Sequence, residues 1–174
     1  MKSEIKFVAY VASSIDGRIA ENSRSIIDWT SKEDWDFFQK SLKKFDAVLV
    51  GSNTYKNAEG NLKKRNTIVF DSKINKIRTV GKVIFLNPKS TNLLKYLKDK
   101  KYKKVAIVGG PRVYNFCLEN KMLHELYVTI EPLIFGAGVP MFEGEKFKKH
   151  RLTLESIKKL NKKGSILLKY NNAS

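Results

Sequence analysis

One cysteine in 174 residues, Cys117, excludes an intramolecular disulfide and any zinc site built from thiolates. Only two histidines occur, His124 and His150, far apart in the chain. A histidine-rich metal site is therefore not expected, and a Ser-His-Asp or Cys-His nucleophilic machine has very few residues to draw on. No hydrophobic run is long enough for a membrane span or a signal h-region: the apolar stretch near the start covers only Phe7–Ala12. Acidic residues are scarce, 17 Asp and Glu against 34 Lys and Arg. Internal repeats, low-complexity linkers and a composition break are also missing, so the chain reads as one domain, 1–174, of a cytoplasmic protein.

What is present fits a packed core. Hydrophobic residues make up 42% and aromatics 11%, and a chain of this length buries roughly 70% of its unfolded surface without staples. The net charge of +17 creates a field that attracts anions. The excess is mostly lysine, dispersed, and densest around Lys95–Lys104 and Lys158–Lys163. It forms no arginine tract, aromatic-basic ladder or zipper spacing. A solvated basic surface explains it first, a field that helps collect a phosphorylated ligand second, and nucleic acid as substrate least.

Periodicity alternates strand and helix. Ile5–Ala12 reads as a buried strand, and Ser31–Lys44 as an amphipathic helix with Trp35, Phe38, Leu42 and Phe45 on one stripe. Further buried strands are Asp46–Gly51, Thr67–Asp71, Lys82–Leu86, Lys104–Gly109 and Glu125–Ile130. Helices are expected over Thr91–Asp99 and from Pro111 to about Asn120, and a closing hairpin pairs Arg151–Leu160 with Ser165–Tyr170. Short apolar strands separated by helices require crossovers. The expected fold is thus α/β: a mostly parallel sheet of about eight strands, helices on both faces, and an antiparallel C-terminal hairpin.

Three places suit chemistry. At Val108-Gly109-Gly110-Pro111-Arg112-Val113-Tyr114 a strand runs into a helix through two glycines. The backbone there can pass close to a ligand, and the helix N-terminus suits a pyrophosphate. The segment is not GxGxxG, and a tight turn needing glycine for geometry alone explains it equally well. Gly51-Ser52-Asn53-Thr54-Tyr55 repeats the arrangement after the second strand, with Ser52, Asn53 or Thr54 free to cap a helix or bind phosphate. Two such strand ends in one parallel sheet point to a ligand across their carboxyl ends. Asp34 is the third place. Ser31 with Asp34, or Thr30 with Glu33, each forms a capping pair. If Thr30 caps, Asp34 is a free carboxylate beside the apolar stripe of Phe38 and Leu42.

The order of Ser14-Ile15-Asp16-Gly17, Trp29 before a helix, Gly51-x-x-Thr54 and Gly109-Gly110 resembles the dihydrofolate reductase superfamily from about Ile5 to Tyr170. That superfamily includes the dihydrofolate reductases and the reductase domain of the riboflavin-biosynthesis deaminase–reductases. Trp29-Thr30-Ser31, Asp46-Ala47-Val48, Phe70-Asp71-Ser72 and Pro132-x-x-x-Gly136-x-Gly138-x-Pro140-x-Phe142 look like the riboflavin branch. Trp29, Asp34 and Phe38 reproduce the spacing of the folate enzymes' pterin site, and Arg65 and Thr129 match their carboxylate-binding arginine and pterin-supporting threonine. The riboflavin branch's arginine before the second strand and its Asp-Asp-Pro are replaced by Lys43-Lys44-Phe45 and Asn57-Ala58-Glu59-Gly60.

The resemblance implies an NADPH-dependent reductase, with 7,8-dihydrofolate as the first substrate and the phosphoribosylamino-pyrimidine of riboflavin synthesis as the alternative. A non-catalytic nucleotide-binding module docking on RNA is the reading from another class. The implied cofactor residues are Gly51, Ser52, Thr54, Ser72, Val108, Gly109, Gly110, Arg112, Val113 and Tyr114, with Ala12 and Ile19 flanking the nicotinamide. The implied substrate residues are Trp29, Asp34, Phe38, Arg65 and Thr129, with Asp34 catalytic. A cis Gly109–Gly110 peptide is also implied. No metal or membrane partner is expected, and the oligomer would be a monomer or homodimer.

Overall fold

The structure is a computed structural model that describes residues 5–172. The chain order is β1 (Lys6–Ser13), β2 (Arg18–Ala20), α1 (Lys32–Leu42), β3 (Ala47–Gly51), α2 (Ser52–Leu62), β4 (Thr67–Phe70), β5 (Arg78–Val80) and β6 (Val83–Leu86). There follow α3 (Leu93–Asp99), β7 (Lys104–Ile107), α4 (Pro111–Glu119), β8 (Glu125–Ile130), β9 (Val139–Pro140), β10 (Thr153–Lys159) and β11 (Ile166–Asn171). Among the described residues the main sheet has nine strands in the order β10-β11-β8-β1-β7-β3-β4-β6-β5.

The central strands β8, β1, β7, β3, β4 and β6 pair parallel with one another. Their sequences are nearly all apolar because both faces are covered. Successive side chains of β1 divide between the two layers: Phe7, Ala9 and Val11 join one core cluster, Val8 and Tyr10 the other. The first cluster is closed by Leu93 and Leu97 of α3 with Val113, Tyr114 and Cys117 of α4. The second is closed by Leu42 of α1 with Tyr55 and Leu62 of α2. Helices therefore lie on both faces, as expected.

The C-terminal hairpin β10–β11 joins β8 antiparallel, also as expected. The ninth strand is the departure. β5, Arg-Thr-Val, pairs antiparallel with β6 at the far edge and is exposed at every residue, so it carries no apolar signature. A separate two-stranded ribbon joins β2 to β9, folding the segment after β1 onto the segment after β8. This ribbon brings distant loops together above the carboxyl ends of the central strands. Among the described residues no helix is long and apolar enough to cross a membrane.

Candidate functional site

The carboxyl ends of β1, β3, β7 and β8 open into one cleft of about 1600 Å³. Pockets for a single small ligand are roughly 300–1,000 Å³, so this cleft is larger than one small ligand needs.

At one end the two glycine junctions meet. The Gly51 N–H donates to the Gly109 carbonyl at 2.8 Å, joining the end of β3 to the turn after β7. The Gly109–Gly110 peptide is cis and Gly109 has φ +120°, a backbone region that glycine alone adopts readily. A β-carbon on Gly51 would stand 3.3 Å from Val113 Cγ2, and one on Gly110 would stand 3.2 Å from Thr54 Oγ1. The bare backbone thus leaves room that any side chain would fill. Helices α2 and α4 both begin here, with Gly51 and Gly110 as N-caps and no side-chain cap on either. The first turn of α2 has no side-chain partner for its N–H groups; α4 opens on Pro111, which has no N–H, and its Val113 N–H donates to the Gly110 carbonyl at 3.0 Å, leaving the Arg112 N–H. Those N–H groups and the positive dipole ends of both helices suit a pyrophosphate.

Around this junction Ser52, Thr54, Val108, Arg112, Val113 and Tyr114 line the cleft, as do Ala12 and Ile19 nearer its middle and Ser72 beyond β4. Two of them already have partners. The Arg112 guanidinium pairs with both carboxylate oxygens of Glu143, at 3.2 and 3.4 Å, so a bound anion would have to draw it away. The Tyr114 hydroxyl donates to the Tyr10 carbonyl. It is fully buried and ties α4 to β1, and burial pushes its phenol up. Asp71 does not line the cleft: its carboxylate accepts from the Lys73 N–H at 3.0 Å.

At the other end Asp34, only 9% exposed, sits in the first turn of α1 and lines the cleft with Phe38. Ser31 is the N-cap, and its hydroxyl accepts from the Asp34 N–H at 3.3 Å. The reciprocal half of the expected capping box does not form. The Ser31 N–H donates instead to Glu131 at 2.8 Å, because the segment after β8 passes under the helix start. Thr30 does not cap, and Glu33 accepts from Asn161. The Asp34 carboxyl is thereby free of capping work and accepts from the Thr129 hydroxyl. Burial pushes its pKa up; the Thr129 hydrogen bond opposes this and the Glu131 charge adds to it.

Thr129 reaches Asp34 because β8 pairs in register with β1, placing Thr129 opposite Ala12 and Tyr127 opposite Tyr10. The two tyrosine rings stack 5.0 Å apart at 5° and also line the cleft. Burial raises the Tyr10 phenol to about 12. Arg65 lies further out, with one guanidinium nitrogen 3.3 Å from Gln39 Oε1. Trp29 does not line the cleft; its ring packs edge-on against Phe135, centroids 5.0 Å apart.

Sequence reasoning missed Glu131, Gln39, Tyr10 and Tyr127, and the strap that closes one wall. Asn22, Ser23, Ser25, Ile26 and Ile27 line the cleft, and Asn57 holds that strap by donating to the carbonyls of Ser23 and Ser25. Tyr127 was available to sequence reasoning, since it lies two residues before Thr129 and so on the same strand face. Glu131 carried no local signal. No group of three or more His, Cys, Asp or Glu among the described residues could hold a metal.

Comparison with known proteins agrees with this architecture. Residues 6–165 match the family model described as the RibD C-terminal domain. An uncharacterized protein of Bacillus subtilis (strain 168), YwjB, is 28% identical, the alignment covering 93% of this chain and 91% of that protein. Among solved structures, RibD of Acinetobacter baumannii superposes with TM-score 0.81 at 18% identity, covering 99% of this chain and 59% of that one. A pyrimidine reductase-like protein of Corynebacterium diphtheriae gives 0.76 at 20% identity, covering 99% and 93%. Dihydrofolate reductase of Enterococcus faecalis gives 0.66 at 20% identity, covering 97% of each chain. The fold is therefore the one these structures share, dihydrofolate reductase among them.

Proposed function

The chain belongs to the RibD C-terminal domain family, and from that membership we propose that it is an NADPH-dependent reductase acting on an aminopyrimidine of the riboflavin-precursor type, 5-amino-6-(5-phosphoribosylamino)uracil. The preference drawn from sequence, dihydrofolate first, is reversed by the family. One observation carries the reading: a single cleft holds two uncapped helix N-termini at one end and a buried carboxylate at the other.

NADPH when bound supplies a hydride, and the chain supplies position. Gly51, Gly109 and Gly110 let backbone N–H groups approach the pyrophosphate, with Thr54 beside them. Ser72 faces the far half of the cofactor, and Ala12 and Ile19 form apolar contacts that exclude water between the reacting rings. Asp34 accepts hydrogen bonds from ring N–H and amino groups of the substrate, held in place by Thr129. Arg65 takes the anionic end of the substrate.

A second reading, 7,8-dihydrofolate, is favoured by the Asp34–Thr129 pair and by Arg65 at the cleft rim. Following NADPH absorbance with both substrates in parallel separates the two. Turnover of the riboflavin precursor alone supports the first reading, turnover of dihydrofolate alone replaces it, and turnover of neither removes both.

A further inference from the structure

Glu131 is only 3% exposed, does not line the cleft, and lies directly after β8. One carboxylate oxygen accepts from the Ser31 N–H at 2.8 Å and the other from the Ser165 hydroxyl. Its own backbone N–H is fixed to the Ser13 carbonyl at 2.9 Å. Ser165 ends the turn of the C-terminal hairpin and is 1% exposed. Asn161 organises that turn, accepting from the Gly164 and Ser165 N–H groups and donating to Ser165 Oγ at 2.9 Å and Glu33 Oε2 at 3.2 Å. Segments about a hundred residues apart are thus wired to the first turn of α1, the turn that carries Asp34.

A buried carboxylate is costly unless its oxygens are satisfied and its charge has a use. A glutamine in this place would supply an acceptor for Ser31 without that cost. We propose that Glu131 is a positioning residue: it fixes the start of α1 from beneath, setting where the Asp34 carboxyl points and placing a second negative charge beside it. This role rests on the reading of Asp34 as the substrate-binding carboxylate. The groups acting on Asp34 are Thr129 on β8 and Glu131 just past it. On its own helix, Glu33 is held by Asn161, and Lys32 pairs with Asp36.

The test is carboxyl NMR titration of Asp34 in the cofactor-free protein, compared with the pH profile of turnover. In wild type the Asp34 midpoint should lie above the ordinary aspartate range. Glu131→Gln keeps an acceptor for Ser31 but removes the charge, and should lower that midpoint. The inflection in kcat/KM should move by the same amount in the same sense. Glu131→Asp, which keeps the charge on a shorter arm, should return the midpoint toward wild type. An unchanged Asp34 midpoint in Glu131→Gln, with only the melting temperature altered, overturns the proposal. If Glu131→Gln does not fold, an Asp34 midpoint in wild type at or below the ordinary aspartate value overturns it equally. Failure of the underlying reading looks different: Asp34→Asn would then turn over normally while the Glu131 effect on the Asp34 titration persisted.

Discussion

Thr54 Oγ1 stands 3.2 Å from the place a β-carbon would occupy on Gly110. The hydroxyl at the start of α2 and the backbone at the start of α4 are therefore in contact reach only because one of them has no side chain. That closeness turns two separate strand ends into one recess.

Replacing Gly110 with Val should close this recess. Wild-type protein at a hundredfold excess of NADPH over Kd should gain about 2.7 kcal/mol from mass action, several degrees in melting temperature for a domain of this size. Gly110→Val should lose that gain while the cofactor-free protein still unfolds cooperatively. A Val variant stabilised by NADPH as much as wild type would show the junction to be only a turn.

Asp34→Asn tests the other end of the cleft. Removing the charge should cost about 2–4 kcal/mol in kcat/KM, the scale of a lost electrostatic partner, with NADPH binding little changed. Residual activity should rise as pH falls, because solvent then protonates the substrate unaided. The stability effect has the opposite sign. A carboxyl whose folded pKa is raised contributes stability below its unfolded pKa and loses it as pH rises through the folded value. Asp34→Asn should therefore melt higher than wild type near neutral pH, with the difference vanishing in acid. Thermal melts from pH 3 to 8 check this.

The Arg65 guanidinium donates to Gln39 Oε1 at 3.3 Å, and Gln39 is only half-buried, so losing the Arg65 side chain strands no fully buried group. Arg65→Ala should raise KM at least tenfold with kcat within about twofold, the pattern of binding shared by ground and transition states. Equal losses in both constants would place Arg65 nearer the reacting atoms.

Asp16 pins the loop after β1 to the loop after β8. It accepts from the Ser14 hydroxyl at 2.6 Å and from the Phe135 and Gly136 N–H groups at 3.0 and 2.9 Å. The Ser14 hydrogen bond first, then that from Phe135, holds its pKa down at about 2. A depressed carboxyl contributes stability above its unfolded pKa and loses it as pH falls through the folded value. Melting temperature should fall between pH 4 and pH 2, and Asp16→Asn should flatten that fall. Loosened loops should also weaken substrate binding, read as a higher KM.

The layers of this protein were legible in its sequence for a physical reason. Strands buried on both faces must be apolar throughout, so Phe7–Ala12, Asp46–Gly51 and Lys104–Gly109 stand out, and the intervening helices show their stripes. The glycine junctions were equally plain, since few residues other than glycine allow such close backbone approach. β2, β5 and β9 were not legible: they are two or three residues long, and β5 is wholly exposed. The tertiary structure alone decided the strand order, and with it the register that sets Thr129 opposite Ala12 and within reach of Asp34. It also decided that Ser31 donates to Glu131 rather than to its own helix, and that Trp29 packs on Phe135 outside the cleft. Local sequence specifies which residues prefer burial or a turn. Which buried carboxylate lies beside which helix start depends on crossovers that bring together residues a hundred positions apart, and no local pattern encodes that distance.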